Sequence, residues 1–214
     1  MAELTLIVGN KNYSSWSMRA WVALKATGQA FDEEVIPLDE PTTKAAILKH
    51  SPSGRLPALK HRDLVVWDSL AICEYLAETF AEARLWPAEK NARAIARSVS
   101  AEMHAGFAAL RSHLPMNVRA SYSNRGVTPE VQADILRIQA IWHDCRRRFG
   151  GEGPFLFGEF GAADCMFAPV VSRFRTYKIE LEAESQAYAD AVWAHPAVQE
   201  YVTAATNEPW IIEK

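Results

Sequence analysis

The segment Ser14-Ser15-Trp16-Ser17 places two hydroxyl side chains directly before a predicted helix. The first N–H groups of a helix have no acceptor within the helix, and the helix dipole favours negative charge at that end. A serine there has two interpretations. It caps the helix, as serine commonly does, or its hydroxyl donates a hydrogen bond to an anion held over the helix start. No histidine or aspartate lies close in sequence to turn either serine into a hydrolase-type nucleophile.

Two further segments have the residue types of a ligand site. Pro57 begins a predicted strand, a setting that favours a cis Leu56–Pro57 bond and would turn the Leu56 N–H and C=O towards a ligand backbone. Asp68-Ser69 opens a predicted helix, where the Ser69 hydroxyl and free N–H groups suit a carboxylate and Asp68 suits an ammonium group. The simpler interpretation is a proline at a strand start and two helix-capping residues.

Other chemistries lack their residues. No cysteine precedes Cys73, which excludes a dithiol site between the first strand and the first helix. The cysteines Cys73, Cys145 and Cys165 and the six histidines show no zinc-ligand spacing, so no metal is predicted. Neither a P-loop nor a G-x-G-x-x-G phosphate loop is present.

The composition is that of a globular chain with a weak net charge. Of 214 residues, 49% are hydrophobic, and 23 Lys and Arg oppose 26 Asp and Glu for a net charge of −3. That balance predicts no nucleic-acid partner and no attraction to an anionic membrane. No apolar run approaches the roughly 18–20 residues of a membrane span, and the start lacks the basic region of a secretory signal. The expected location is the cytoplasm.

The hydrophobic periodicity predicts two unlike halves. The first eighty residues follow the order βαβαββα, which suggests a thioredoxin-like α/β domain over Met1–Ala81. After it, an all-α helical bundle is predicted over Arg84–Lys214. One long helix is predicted from the apolar spacing of Ile95 to Leu114, and further helices begin at Pro129, Gly161, Glu184 and Pro196.

These segments together resemble the glutathione transferase family, nearest to its serine-using zeta class, and the resemblance covers the whole chain. Ser14 to Leu24 resembles the zeta pattern of paired serines, a cysteine, a serine and a later arginine. Gly54 to Leu59 resembles the family segment that contains its cis-proline. Asp68 to Leu76 resembles the Glu/Gln-Ser-x-Ala-Ile-x-x-Tyr-Leu helix, and Gly161 to Asp164 resembles the Ser/Thr-x-x-Asp capping motif.

The resemblance implies a glutathione site with assigned residues. Ser14 falls on the serine that stabilises the thiolate, Ser15 is its close competitor, and Tyr13 is a rival because other classes use tyrosine. The backbone of Leu56, ahead of Pro57, would pair with the cysteinyl unit of glutathione. Ser69 would hold the γ-glutamyl carboxylate, with Asp68 near its amine. Three cations are candidates for the glycyl carboxylate: Lys44, His50 and Arg55.

The implied activity is transfer of the glutathione thiolate to a small apolar electrophile, by a cytoplasmic homodimer. The electrophile would bind between the domains, in a site lined by Trp16, Met103, His104, Phe107 and Arg111, with Met116 and Asn117 nearby. One alternative is a glutathione-dependent cis–trans isomerase of the maleylacetoacetate isomerase type. The other is a non-catalytic binding module with the same fold.

The sequence departs from the zeta pattern at four places. Trp16 replaces the cysteine, Asp68 replaces the longer Glu or Gln, and Gly161 removes the capping hydroxyl. Thr176 stands where the zeta-class isomerases have a substrate-binding arginine. The nearby Arg173 and Arg175 are shifted along the helix, so their guanidinium groups are expected to point elsewhere, which argues against the isomerase activity.

Overall fold

A computed structural model describes residues 2–123 and 125–212, so the predicted domain ends at Met1 and Lys214 lie outside the described residues. It confirms the predicted fold class, an α/β unit followed by a helical unit. The first unit contains β1 (Leu4–Gly9), α1 (Ser15–Ala26), β2 (Asp32–Ile36), α2 (Thr43–Leu48), β3 (Ala58–His61), β4 (Leu64–Val66) and α3 (Ser69–Thr79). The second contains α4 (Lys90–Ala105), α5 (Ala108–His113), α6 (Pro129–Phe149), α7 (Ala162–Thr176), α8 (Ala183–Ala194) and α9 (Pro196–Thr206).

The sheet has the order β2-β1-β3-β4, with β1 parallel to β2 and the other neighbours antiparallel. Successive side chains of β1 point to opposite faces. Leu6 and Val8 join the core formed with α1 and α3, whereas Ile7 packs with Ile36 and Ile47 beneath α2. The β1 strand is therefore covered on both sides, and its carboxyl end leads directly to Ser14.

Helix α1 is buried on nearly all sides because it packs between the sheet and the helical unit. It contacts α3 within its own unit and α7 and α9 of the other. The residues from Met18 to Leu24 are all buried. Gly28 follows the helix with φ +73°, the left-handed conformation that glycine adopts at a helix end.

The prediction of one continuous helix from Ile95 to Leu114 is wrong. Helix α4 ends at Ala105, its C-cap Gly106 has extended backbone angles, and Phe107 has a φ of 60°. The Arg111 guanidinium donates to the last carbonyls of α4, those of Met103, His104 and Gly106. The spacing of apolar residues does not reveal this break. The carbonyl groups at the end of α4 receive their hydrogen bonds from Arg111, a polar residue beyond the helix end.

Helix α7 begins with the predicted capping arrangement although Gly161 has no side chain. Asp164 accepts from the Gly161 N–H at 2.9 Å, the Leu156 N–H at 3.2 Å and the Tyr188 hydroxyl at 3.0 Å. Burial raises the pKa of the Asp164 carboxyl to about 6, against the lowering effect of these three donors. This carboxylate thus joins the start of α7 to α8 and to the preceding loop.

Within residues 2–123 and 125–212, every helix is too short or too polar to cross a bilayer.

Replacing Asp164 by Ala should lower the free energy of unfolding by about 3 kcal/mol, because it leaves two buried donors and one partly buried donor without an acceptor. Urea denaturation at neutral pH measures this change. Asp144→Ala is the matched control, since Asp144 pairs with Arg147 and Arg148 on the exposed surface of α6 and should change stability much less. Equal effects of the two substitutions would contradict this account of Asp164.

Candidate active site

Ser14 is the N-cap of α1, and its hydroxyl is used within the first helical turn. Its Oγ accepts from the Ser17 N–H at 3.3 Å and donates to Ser17 Oγ at 2.8 Å. Ser17 Oγ also accepts from the Gly9 N–H at 2.9 Å, which joins the turn to the end of β1. The Ser14 proton is therefore directed towards the protein interior.

Ser15, the first residue of α1, has a different environment. Its Oγ accepts a hydrogen bond from Arg173 Nη2 at 3.2 Å, so its own O–H remains to donate. Arg173 comes from α7, is 4% exposed, and also donates to the Leu114 carbonyl at 2.8 Å. Burial, followed by repulsion from Arg111, lowers the pKa of Arg173 to about 9, and Tyr177 opposes the shift. Arg173 thus remains a cation at neutral pH, directly behind Ser15.

The expectation that Arg173 points away from the site is therefore wrong. Arg175, the other shifted arginine, does lie elsewhere, because it pairs with Asp190 on the surface. The two residues differ because positions two apart on a helix face different directions.

The first cleft has a volume of about 360 Å³ and lies beside the start of α1. It is lined by Trp16, Ser53, Arg55, Leu56, Pro57, Trp67, Asp68, Ser69 and His104. The Leu56–Pro57 peptide bond is cis, as its sequence context predicted. The predicted ligand segments before β3 and before α3 thus meet at one cavity.

The two residues that open α3 present complementary groups to the first cleft. Ser69 is fully buried, and its hydroxyl has no hydrogen-bond partner among the described residues. Asp68 caps α3 by accepting from the Leu70 N–H at 3.1 Å, and its other oxygen lies 2.5 Å from His104 Nε2. A carboxylate ligand would therefore find a free hydroxyl and a helix N-terminus, with an acidic group next to them.

Of the three predicted carboxylate-binding cations, only Arg55 lines the first cleft. Lys44 lies on the exposed surface of α2. His50 lies between Lys60 Nζ, 2.7 Å from its Nδ1, and Glu34, 3.0 Å from its Nε2. Both lie outside the cleft lining, because α2 packs beneath the opposite face of the sheet.

A second cleft, of about 480 Å³, lies where the loop after β1 meets the helical unit. Its lining residues are Tyr13, Arg111, Ser112, His113, Pro115, Met116, Asn117, Tyr122, Arg125, Tyr177 and Ile212. The Tyr13 hydroxyl oxygen receives the Ile212 N–H at 3.0 Å and Arg119 Nη2 at 3.3 Å. Burial raises the pKa of Tyr13, but these donors together with Asn12 outweigh burial and lower it.

The residues predicted to line the electrophile site are divided between three places. Trp16 and His104 line the first cleft, and Arg111 lines the second together with Met116 and Asn117. Met103 and Phe107 are buried in the core and are not among the residues that line either cleft. Met103 faces inwards from α4, and Phe107 turns into the core where the helix breaks.

The sequence predicted Arg111 in the electrophile site but not its contact with Trp16, and it gave no role to Arg19. The Arg19 guanidinium lies 4.4 Å from the centre of the Trp16 ring and that of Arg111 lies 4.8 Å from it, while the His104 ring contacts its edge at 5.1 Å. The i,i+3 spacing of Trp16 and Arg19 on one helix signals their contact. Arg111 and Arg173 come from distant segments, and nothing in their local sequence indicates this position.

The cysteines are unsuited to nucleophilic chemistry. Burial raises the pKa of Cys73 and Cys145 to about 12 and that of Cys165 well above its ordinary value. In the part of the chain that the structure describes, no cluster of three or more Cys, His, Asp or Glu side chains is arranged to hold a metal ion. The polar side chains that line the clefts are therefore hydroxyl, guanidinium, carboxylate, imidazole and amide groups.

Comparison with known proteins gives two family matches. Residues 13–79 match the family described as "Glutathione S-transferase, N-terminal domain", and residues 94–204 match "Glutathione S-transferase, C-terminal domain". The two matches cover both structural units and include the start of α1, both ligand segments and the arginines around Trp16.

Individual proteins give weaker but consistent similarities. Glutathione S-transferase L2, chloroplastic, of Arabidopsis thaliana is 27% identical over 75% of this chain and 50% of its own length, so the match spans about half of that relative. Glutathione S-transferase Z2 of the same plant is 26% identical over 80% of each chain. A crystal structure of a glutathione transferase homolog from Burkholderia with bound glutathione is 25% identical, with a TM-score of 0.71 over 94% of this chain and 97% of that one.

Replacing Ser14 by Ala should lower the free energy of unfolding by about 1 kcal/mol, the usual cost of removing an N-cap hydroxyl. Urea denaturation measures the change. Thr42→Ala is the matched control, because Thr42 is the N-cap of α2 but makes no side-chain capping hydrogen bond, and its removal should leave stability nearly unchanged. If both substitutions prove neutral, Ser14 does not have the capping role described here.

Proposed function

The chain belongs to the glutathione S-transferase family, and we propose that it is an enzyme that binds glutathione in the first cleft. In this proposal the Ser15 hydroxyl stabilises the glutathione thiolate, which then attacks a small electrophile. The observation that carries the proposal is the Ser15–Arg173 hydrogen bond at the start of α1. The cytoplasmic homodimer expected from the sequence is part of the same proposal.

The groups around the first cleft match the charges of glutathione along its length. The Ser69 hydroxyl, which has no partner among the described residues, and the free N–H groups of α3 suit the γ-glutamyl carboxylate, and the adjacent Asp68 suits its ammonium group. The backbone of Leu56 can pair with the cysteinyl unit, and Arg55 at the cleft surface suits the glycyl carboxylate. Bound in this direction, the tripeptide would direct its sulfur towards the start of α1.

Of the three hydroxyls at that end, Ser15 is best suited to donate to sulfur. The Ser14 proton is engaged by Ser17, and Tyr13 lines the other cleft. Ser15 Oγ accepts from Arg173, and because a donated hydrogen bond polarises the hydroxyl, its own O–H becomes a stronger donor. We therefore assign the thiol-stabilising role to Ser15, whereas the family resemblance alone favoured Ser14.

Stabilising the thiolate addresses the main barrier to the reaction. A free thiol has a pKa of about 8.5 and is mostly protonated at neutral pH, yet the thiolate is the nucleophile. A hydroxyl donor, the α1 dipole and the buried Arg173 cation all favour the charged sulfur. The proton leaves to solvent, and the sulfur then forms a bond to the electrophilic carbon while the leaving group departs with its electron pair.

Replacing Ser15 by Ala should raise the pKa of bound glutathione by about one to two units, since a hydrogen bond to a charged group contributes about 1.5–3 kcal/mol. The pH at which kcat/KM for the electrophile, measured at saturating glutathione, reaches half its maximum should rise by the same amount, because a raised thiol pKa moves formation of the thiolate to higher pH. Steady-state assays across neutral and alkaline pH, with the rate without enzyme subtracted, measure this shift.

Ser14→Ala and Tyr13→Phe are the matched controls for Ser15→Ala. Neither should shift the pH profile of conjugation by a comparable amount. Arg173→Gln should raise the half-maximal pH while leaving the KM for glutathione nearly unchanged, and Arg173→Lys should restore part of the shift. A displaced profile in Ser14→Ala, with none in Ser15→Ala, would move the assignment to Ser14.

Replacing Ser69 by Ala should weaken glutathione binding about tenfold, because the hydroxyl donates to a carboxylate. Isothermal titration with glutathione measures this loss, and Ser98→Ala on the exposed face of α4 is the control. Unchanged affinity in Ser69→Ala would exclude the proposed orientation of the tripeptide. Binding without any turnover, across a panel of electrophiles, would identify a binding module instead of an enzyme.

A further inference from the structure

We propose that His104 is a positioning residue for the recognition of glutathione. Its neutral imidazole orients the Asp68 carboxylate towards the ammonium group of the γ-glutamyl unit, and its protonated form competes with that ammonium group for the same carboxylate. This inference rests on the proposed binding of glutathione in the first cleft. It assigns His104, which the sequence placed in the electrophile site, to the other substrate.

Asp68 and His104 meet in the lining of the first cleft, where the α/β unit contacts α4. The Oδ2 atom of Asp68 lies 2.5 Å from Nε2 of His104. Because a carboxylate only accepts hydrogen bonds, Nε2 carries the shared proton whether the ring is neutral or charged. Protonation at Nδ1 then converts the ring to imidazolium without breaking this contact. The His104 side chain is 28% exposed, so solvent can supply that proton.

The position of the His104 ring is fixed by two further contacts. The ring packs edge-to-face against Trp16, with ring centres 5.1 Å apart. Arg111 donates to the His104 backbone carbonyl at 3.4 Å, which holds the last turn of α4. The Nε2–H group is therefore directed at Asp68 by packing as well as by the hydrogen bond itself.

Asp68 is the only acid in the described lining of the first cleft. Its Oδ1 accepts from the Leu70 N–H at 3.1 Å, and its Oδ2 faces His104. A carboxylate offers about four acceptor positions, so each oxygen can accept a further donor. An ammonium group bound beside Ser69 can therefore join Asp68 while the ring is neutral. An imidazolium would neutralise Asp68 and repel the ammonium group.

Charged groups of both signs surround His104. Asp68 at the start of α3 is negative, and His104 itself lies in the last turn of α4, where the helix dipole is also negative. Three arginines are positive: Arg111 from α5, Arg19 from α1 and Arg55 at the surface of the cleft. Imidazole is the side chain whose charge ordinarily changes between pH 5 and 8. We therefore expect glutathione binding to weaken as the pH falls and imidazolium forms.

The test measures the binding of S-methylglutathione by isothermal titration between pH 5.5 and 7.0. This ligand has no thiol, and its carboxylates and its ammonium group keep their charges over this range. The affinity should fall about fivefold from pH 7.0 to pH 5.5, as imidazolium becomes the main form of the ring. Binding near the middle of the range should also release protons, because ligand and proton displace each other. Titrations in buffers with different ionisation enthalpies measure that release.

His104→Gln is the primary variant, because its amide can donate to Asp68 but cannot become charged. Its affinity at pH 7.0 should be close to that of the unmodified protein, and both the pH dependence and the proton release should disappear. His104→Leu lacks the donor as well, and should weaken binding at pH 7.0 about threefold because Asp68 is no longer oriented.

His143→Gln is the matched control. His143 Nδ1 lies 2.6 Å from Glu184 Oε2 in a pair of the same kind on the exposed surface, and its replacement should leave the pH dependence intact. An equal fall in affinity in His104→Gln and in the unmodified protein would overturn the inference.

A change in the ligand tests the same role without altering the protein. Glutaryl-S-methylcysteinylglycine is S-methylglutathione without its ammonium group, so it does not compete with imidazolium for Asp68. Its affinity should not fall between pH 7.0 and pH 5.5. An equal fall for both ligands would contradict the role of His104.

The same titrations distinguish this role of His104 from the glutathione site itself. If S-methylglutathione binds equally well at both pH values, the glutathione site is supported and the role of His104 is overturned. If it binds at neither pH, the proposed function is contradicted, and the role of His104 with it.

Discussion

Hydrogen bonds from the helical unit fix the first turn of α1, and the arrangement of the site depends on them. Arg173 of α7 donates to Ser15 Oγ, Tyr201 of α9 donates to the Ser14 carbonyl at 3.3 Å, and the Asn12 side chain bonds that of Asn117 at 2.9 Å. The α/β unit supplies the hydroxyls, and the helical unit fixes their directions. Separating the two units would remove the Arg173 guanidinium from the start of α1.

This contact explains why two adjacent serines have different roles. A hydroxyl that caps a helix forms its hydrogen bonds with groups of that helix. A hydroxyl that stabilises an external anion must instead have its proton free to donate. Ser14 meets the first requirement and, in our proposal, Ser15 meets the second. Arg19, Arg111 and Arg173 add positive charge here, because among the described residues their hydrogen bonds go to carbonyl and hydroxyl oxygens and none of the three forms an ion pair with a carboxylate. Such charge costs stability, and a bound anion would offset that cost.

Local patterns predicted the elements well, because strand alternation, helix periodicity and caps are written in neighbouring residues. Asp164 at the start of α7 is an example. The cleft around Ser69 was also foreseeable, since the family resemblance placed its segments together. The direction of the Arg173 side chain could not be foreseen, because its contact with Ser15 joins residues more than 150 positions apart and leaves no local sequence pattern. The break before Phe107 was missed for a similar reason, because Arg111 satisfies carbonyls that precede it.

A crystal structure of the protein with glutathione bound would test the central claim most directly. The account predicts that the sulfur lies within hydrogen-bonding distance of Ser15 Oγ, with Arg173 still donating to that oxygen and the γ-glutamyl carboxylate against Ser69. A complex in which the sulfur contacts Ser14 or Tyr13 instead, or in which the tripeptide lies outside the first cleft, would contradict it.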